Sequence, residues 1–458
     1  MGFCKGHPLI INGRIFTQKI TGVQRYGIEI VRQIDRLVEP GEVILAIPQR
    51  ALTCDVEFSN IETVVVGKRR GNLWTQTDLP LFAYRQKGTI LSLAGIAPIL
   101  KPDFVTAHDI SFIRYPRSYK KMFRWMYRIG YRLTLQRARR IITVSEFSRN
   151  ELMDYYRLKE DRFIIAGNAA DHLLRYEKDR NLDAEKSVLN AFNIHKDEKY
   201  YLTVGSSNIH KNQDFIMKLA ARYPDRKFVI AGGSSAGSFN NKKDAHCVSK
   251  KNAVMATNSR TNLIFTGYVT DNELSNLYKN AYAFIFPSLY EGFGIPPLEA
   301  IYMGVRHIAL ADIPALKEIY PVGCYFFDPG DVSKFDMEAL DYNGDGDVEA
   351  HDGKGSGDIE SSDGKGSGDI KPPDGKVSGE IKVYGDKVSG NIDSLEDKGS
   401  DDKQTLDEKG ERKMNNPDVN SLSKNERENK YLDTTKKDYY LNKYTWEKSA
   451  SAIIDSIR

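Results

Sequence analysis

Glu291 and Glu299, eight residues apart, flank the stretch Gly292-Phe293-Gly294-Ile295-Pro296-Pro297-Leu298. Two carboxylates held around a glycine turn suit a hydroxyl-rich ligand that carries a phosphate. The flanking residues say what must position them. Ala281-Tyr282-Ala283-Phe284-Ile285-Phe286 reads as a buried strand, and Pro287 ends it because proline has no donor for the ladder. Glu291 is thereby delivered to the carboxyl end of a strand. Gly292 and Gly294 permit positive φ or close backbone approach, while Pro296 and Pro297 suit a first helical turn, where N–H groups lack intrahelical partners. A helix therefore starts beside Glu291 and carries Glu299 in an early turn. Its N–H groups and dipole favour an anion such as phosphate. Taken as a bare pair, the glutamates read as ordinary surface residues of a solvent-facing loop.

Other residues fall at strand ends of the same kind. Lys199–Val204 reads as a strand running into Gly205-Ser206-Ser207-Asn208-Ile209-His210-Lys211. Lys211 offers a compact positive charge to a diphosphate, or is a surface lysine. His108 ends the strand at Phe104-Val105-Thr106-Ala107, where open α/β sheets bind ligands, although a histidine there also serves as a structural hydrogen-bonding residue. Near the amino terminus, Pro8–Ile11 reads as a strand and Gly27–Leu37 as a helix, with Gly22 between them in a loop or plain turn. Ile141–Val144 is a strand followed by Ser145-Glu146-Phe147-Ser148, whose serines capping explains. Strands at Lys227–Ala231 and Leu263–Phe265 follow, the second leading into Gly267-Tyr268-Val269.

Composition bounds the class. The four cysteines, Cys4, Cys54, Cys247 and Cys324, show no C-x-x-C pairing, which argues against a disulfide framework or zinc site and fits a reducing cytoplasm. No leader and no spanning apolar run is visible. The net charge of +4 does not imply nucleic acid. Charge is nevertheless concentrated: residues 113–140 include Arg114, Arg117, Lys120, Lys121, Arg124, Arg128, Arg132 and Arg137, lack any acid, and interleave Tyr115, Tyr119, Phe123, Trp125, Tyr127 and Tyr131. This fits a basic helix lying on an anionic bilayer with aromatic anchors, or a solvated helix whose aromatics enter the core. No recognised nucleic-acid module surrounds it.

From Asp341 to Lys437 the composition changes to a repeat whose copies open at Asp341, Asp352, Asp363 and Asp374. The segment holds no Cys, Phe or Trp and reads as a disordered low-complexity insertion. Its first copy imitates a calcium loop, but Lys354 and Lys365 spoil the later ones. Without the insertion about 360 residues remain, enough for two domains.

The block Glu291-Gly292-Phe293-Gly294-Ile295-Pro296-Pro297-Leu298-Glu299 resembles the E-x7-E signature of retaining family 4 glycosyltransferases, and Ile11-Asn12-Gly13-Arg14 with Thr21-Gly22-Val23-Gln24-Arg25-Tyr26 is similar to their amino-terminal glycine loop. Leu9–Leu340 and Tyr439–Ile457 carry the likeness. The resemblance implies an α/β GT-B fold of two facing Rossmann-like domains with parallel sheets: 1–185 for the acceptor, 186–340 for the donor, the insertion at 341–437, and a closing helix in 438–458 that packs back on the first domain. It implies that Glu291 contacts the donor sugar and supports developing positive charge, that His108 contacts the sugar from the opposite domain, and that Glu299 holds the ribose hydroxyls. Lys211 with backbone amides would stabilise the departing diphosphate, and Gly22, Ser206, Tyr268, Val269, Phe293, Gly294 and Ile295 would complete the donor site. Ser206 departs from the family, which has an arginine there.

The function so implied is transfer of a hexose, mannose from GDP-mannose, to a lipid-linked or surface polysaccharide, without metal or cofactor. Partners are then a nucleotide sugar, a saccharide or lipid-linked saccharide acceptor, and an anionic membrane through 113–140, with no nucleic acid; the place is the cytoplasm, at the inner face of the membrane. The lost arginine and interrupted carboxyl-terminal region motivate the competing reading, a non-catalytic GT-B scaffold whose repeat binds calcium or a partner.

Overall fold

The computed structural model describes residues 3–4, 6–50, 52–54, 57–176, 188–195, 198–232, 262–341 and 432–458. The repeats after Asp341, with the calcium-loop reading attached to them, and Cys247 lie outside the described residues.

Two all-parallel sheets form, mostly from short apolar runs buried on both faces as strands covered by helices require, the edge strand Glu62–Val65 being largely exposed. The first contains β1 (Leu9–Asn12), β2 (Val43–Ile47), β3 (Glu62–Val65), β4 (Thr89–Ser92), β5 (Phe104–Thr106), β6 (Arg140–Thr143) and β7 (Phe163–Ile165). Their spatial order is β3-β2-β1-β4-β5-β6-β7. The second contains β8 (Tyr200–Val204), β9 (Lys227–Ala231), β10 (Leu263–Gly267), β11 (Ala283–Phe286), β12 (His307–Ala311) and β13 (Tyr325–Phe327), in the order β10-β9-β8-β11-β12-β13. Both sheets lie in one compact unit.

Each order reverses direction once, between β1 and β4 and again between β8 and β11. At such a switch point the loops leaving the two strands diverge and open a crevice at their carboxyl ends. In the second sheet those are the Gly205–Asn212 loop and the Pro287–Gly294 loop, joined through the register Ala283↔Tyr201 and Phe284↔Leu202. Topology alone thus places Lys211 next to Glu291.

Three local expectations need correction. The first helix spans Gly22–Leu37, not Gly27–Leu37, because Thr21 is already extended and the Arg25 N–H reaches its carbonyl at 2.8 Å. Gly22 is thus the first residue of a helix. The basic segment does form a helix, Lys121–Arg137, but most of its aromatics are not surface anchors. Phe123 and Tyr127 stack at 4.2 Å, and Tyr131 meets Phe112 edge-on at 5.4 Å in the lobe's core. Tyr115 and Tyr119 turn toward His210. Only Met122, Trp125 and Ile129 of the helix's large apolar residues are exposed. The third concerns phosphate at the Ile295–Tyr302 helix: Pro296 and Pro297 have no N–H, and the Tyr320 hydroxyl, donating to the Gly294 carbonyl, also meets the Leu298 backbone. The donors that this first turn can offer an anion are reduced accordingly.

The Trp446–Ile457 helix packs on the first lobe. Ser449 donates to the Gly167 carbonyl at 2.7 Å, Arg458 donates to the Leu37 carbonyl at 3.2 Å, and Trp446 is fully buried against Tyr26 at a ring distance of 5.9 Å. No helix among the described residues is long and apolar enough to cross a membrane.

Candidate functional site

The Lys211 ammonium donates to Glu291 Oε1 at 2.6 Å, and both side chains are largely buried. Lys211 is presented by a single 3-10 turn, Ile209–Lys211, ended by Asn212 in the left-handed conformation. The Leu289 N–H donates to the His210 carbonyl at 2.8 Å and ties the two loops together. In those loops Asn208 Oδ1 and Ser288 Oγ are buried with no hydrogen-bond partner. A hydroxyl-bearing ligand would supply what such orphaned atoms lack. Ser206 is half-buried in the same loop and brings no charge to the crevice.

The two glycines of the block have different physical roles. Gly294 sits at φ +85° and starts the Ile295–Tyr302 helix, a conformation that favours glycine. Gly292 instead permits contact between the lobes: a Cβ there would lie 2.7 Å from the His108 carbonyl oxygen and 2.9 Å from Ser148 Oγ. Its own carbonyl accepts from Ser145 Oγ at 2.5 Å and Ser148 Oγ at 3.1 Å. Ser145 still caps its helix, but capping is only half of what these serines do. Glu318 adds a second bond across the lobes, its carboxylate accepting the Glu146 and Phe147 N–H groups at 2.8 and 2.7 Å. Phe293 is buried against Tyr444, and Ile295 lies opposite Gly22.

His108 lies behind this contact. Its ring packs edge-on against Tyr26 at 4.8 Å, and Nε2 is 3.3 Å from the Leu93 carbonyl. A carbonyl only accepts, so Nε2 carries the proton and Nδ1 is left as an acceptor. Burial holds the pKa below the ordinary value, keeping the ring neutral. His210, adjacent to Lys211, is pushed down to about 3 by burial first and by the lysine second. Its Nδ1 meets Ser118 Oγ at 3.2 Å.

Glu299 is buried where the lobes meet. Tyr278 donates to Oε2 at 2.9 Å, and His172 Nε2 lies 3.7 Å from Oε1. The Trp446 indole donates to His172 Nδ1 at 3.3 Å, so Nε2 carries the His172 proton and faces the carboxylate. Arg25 is close enough to act on Glu299 and is itself paired with Asp271 of the second lobe. Tyr268 is half-exposed with the Lys19 ammonium 4.3 Å from its ring centre, and Val269 beside it is buried. Tyr278 and His172 carry no sequence motif of their own, and the cross-lobe contacts of Arg25, Ser145 and Ser148 go beyond the loop and cap in which the sequence places them.

Burial raises the Glu299 carboxyl from 4.5 to about 7, against the opposing hydrogen bond from Tyr278 and the charge of Arg25. Between those values the folded protein holds a proton that the unfolded chain has released. Stability from this group is therefore present at low pH and falls as pH rises toward 7, by up to about 3 kcal/mol. Buried His108, His172 and His210 slope the opposite way, so the informative quantity is a difference. Urea midpoints of wild type and Glu299→Gln should diverge in slope between about pH 5 and 7. Parallel curves would exclude the raised carboxyl.

Residues 88–172 match the family described as Glycosyltransferase Family 4, and residues 185–337 match Glycosyl transferases group 1. Over 257 residues the chain is 26% identical to the O-antigen chain mannosyltransferase RfbU of Salmonella typhimurium, a match covering 55% of this chain and 64% of that protein, slightly under two thirds of the relative's length. Over 350 residues it is 26% identical to O-antigen chain mannosyltransferase B of Escherichia coli, covering 70% of this chain and 86% of the relative. Among solved structures, a sucrose-phosphate synthase from Thermosynechococcus elongatus aligns with a TM-score of 0.51 at 16% identity, over 71% of this chain and 87% of that one. Anabaena Alr3699/HepE, solved with UDP-glucose, aligns at 0.50 and 14% identity, over 71% and 86%. At these identities the structural likeness speaks for the fold.

Proposed function

This chain belongs to the family 4 glycosyltransferases, and on that premise we propose that it transfers mannose from GDP-mannose, with retention, to a lipid-linked or surface saccharide. The observation that carries the reading is the buried Lys211–Glu291 pair at the switch point of the second sheet. In the transfer, the bond between the anomeric carbon and the diphosphate oxygen breaks, the diphosphate leaves with the electron pair, and an acceptor hydroxyl oxygen bonds to the same carbon as its proton passes to the leaving diphosphate. Lys211 exchanges Glu291 for the leaving diphosphate, which frees the carboxylate to face the positive charge developing on the sugar. The orphaned Asn208 Oδ1 and Ser288 Oγ take hydroxyl hydrogens. Neutral His108 offers Nδ1 from the first lobe. Glu299 takes the ribose hydroxyls, and Tyr268 with Val269 flanks the base. Ser206, Gly205 and neighbouring amides meet the diphosphate where the family has an arginine. The transfer is read as metal-independent.

The relatives named as O-antigen mannosyltransferases support the choice of sugar and a polysaccharide acceptor. The acceptor's lipid anchor fits a place at the cytoplasmic face of a membrane. There the exposed Met122, Trp125 and Ile129, amid the cations of the Lys121–Arg137 helix, would meet anionic lipid.

Thermal unfolding with GDP-mannose, UDP-glucose and UDP-galactose tests the donor. GDP-mannose at a hundredfold excess over its Kd should add about 2.7 kcal/mol to apparent stability. Stabilisation by the UDP sugars alone would overturn the donor assignment. A β-linked product would overturn retention.

A further inference from the structure

A cavity of about 380 Å³ opens on the outer face of the first lobe, between the Lys121–Arg137 helix and the Glu146–Tyr156 helix. Lys121, Arg124 and Arg128 supply its charge, and Phe112, Trp125 and Tyr155 supply apolar wall. Helical spacing explains the arrangement: positions 121, 124, 125 and 128 share one face, while Phe123, Tyr127 and Tyr131 occupy the inward one.

Three features indicate what would fill it. Among the described residues none of the three cations forms an ion pair. On the facing helix Glu151 is already held by both nitrogen arms of Arg114, at 2.8 and 2.6 Å, and the exposed Asp154 acts on that same arginine. Arg124 Nε is buried and has no hydrogen-bond partner, so a guanidinium edge is desolvated with nothing to receive its proton. A buried, unsatisfied charged donor is costly, and a bound anion with several oxygens relieves that cost. Beside the cations, Met122, Trp125 and Ile129 are 74%, 65% and 40% exposed and continue the apolar wall onto the surface. An inorganic anion would leave that strip in water.

We infer that this cavity seats the phosphate of a membrane lipid, with Arg124 and Arg128 on the phosphate oxygens and the acyl or prenyl chain running along Trp125, Met122 and Ile129. The inference rests on the membrane contact proposed above and sharpens it from a charged face to a defined phosphate site. It also gives the lipid a route to the catalytic loops. The segment that begins at this cavity carries Tyr115, whose hydroxyl donates to the Leu289 carbonyl at 3.1 Å, and Ser118, which meets His210. A seated lipid would therefore brace the loops bearing Lys211 and Glu291.

The test is flotation of the full chain with phosphatidylcholine vesicles containing phosphatidic acid, comparing wild type, Arg124→Gln and Arg137→Gln. Arg137 is an exposed cation at the end of the same helix and outside the cavity, so its replacement removes the same charge. Arg124→Gln should weaken binding about tenfold or more, as loss of charge-assisted phosphate bonds does. Arg137→Gln should weaken it about fivefold or less. Added inorganic pyrophosphate should displace the wild type only weakly. Equal losses in the two variants would leave the membrane contact standing and overturn the site. Complete displacement by pyrophosphate would overturn the lipid as occupant. Wild type that binds neither these vesicles nor ones containing phosphatidylglycerol would overturn the membrane contact and the lipid site together.

Discussion

Replacing Glu291 by Gln is expected to cut nucleoside diphosphate release from GDP-mannose by about two to three orders of magnitude while leaving the fold in place. The side chain is largely buried, so a charge here acts through protein, where its effect on a developing cation is far larger than in water. Gln keeps the shape and one oxygen acceptor. It can still receive the Lys211 ammonium that now lies 2.6 Å from Oε1, and the loop has no reason to collapse. What is lost is the negative charge, whose interaction grows only as the sugar becomes positive. Turnover should fall accordingly, with the donor concentration for half-saturation changing little. Release should be followed with purified protein beside a thermal unfolding curve. Equal release from both proteins, with equal melting, would remove Glu291 from the reaction.

The route from sequence to site was clear where one strand and one turn sufficed. Proline after an apolar run ends β11, which puts Glu291 at a strand end. Gly205 after another run does the same for the loop of Lys211. What joined the two was the strand order, and strand order is a property of the sheet, not of either segment. Residues that act across the lobes were hidden for a related reason. Ser145 and Ser148 reach Gly292, and Glu318 reaches Glu146 and Phe147, over separations that leave no periodic trace. His172 carries no motif and gains meaning only from Glu299 on one side and Trp446 on the other. The basic segment teaches the opposite lesson. Its spacing was there to be used: Phe123, Tyr127 and Tyr131 recur every fourth residue and so share one face, while Met122, Trp125 and Ile129 share another. Composition blurred what helical periodicity separates. The helix start after Gly294 likewise offered fewer donors than its dipole promised, because the two prolines that favour the start also remove N–H groups.

Gly292→Ala is expected to damage stability and turnover together, and the reason is local. The added Cβ would sit 2.7 Å from the His108 carbonyl oxygen, 2.9 Å from Ser148 Oγ and 3.1 Å from Asp109 Cβ, all belonging to the first lobe. Ser148 can rotate, but the His108 carbonyl lies two residues past β5 and next to Ala107, whose N–H is fixed to the Ile142 carbonyl at 2.9 Å. The loop or the whole lobe must move. Overpacking of this kind costs about 1–3 kcal/mol. Movement also stretches the bonds from Ser145 and Ser148 to the Gly292 carbonyl, each worth about 0.5–1.5 kcal/mol. Gly22→Ala provides the reference for stability, because its Cβ would lie 3.5 Å from Ile295 Cδ1, an ordinary contact. Its effect on melting should be near zero, within about 0.5 kcal/mol. Glu291 is covalently next to Gly292, so a displacement of about 1 Å carries the carboxylate out of line, and misplacement on that scale costs about a hundredfold in rate. Melting and nucleoside diphosphate release, measured side by side, distinguish the outcomes. A Gly292→Ala protein that melts with the wild type would show that the lobes give way at no cost, and wild-type turnover would show that their contact does not position Glu291.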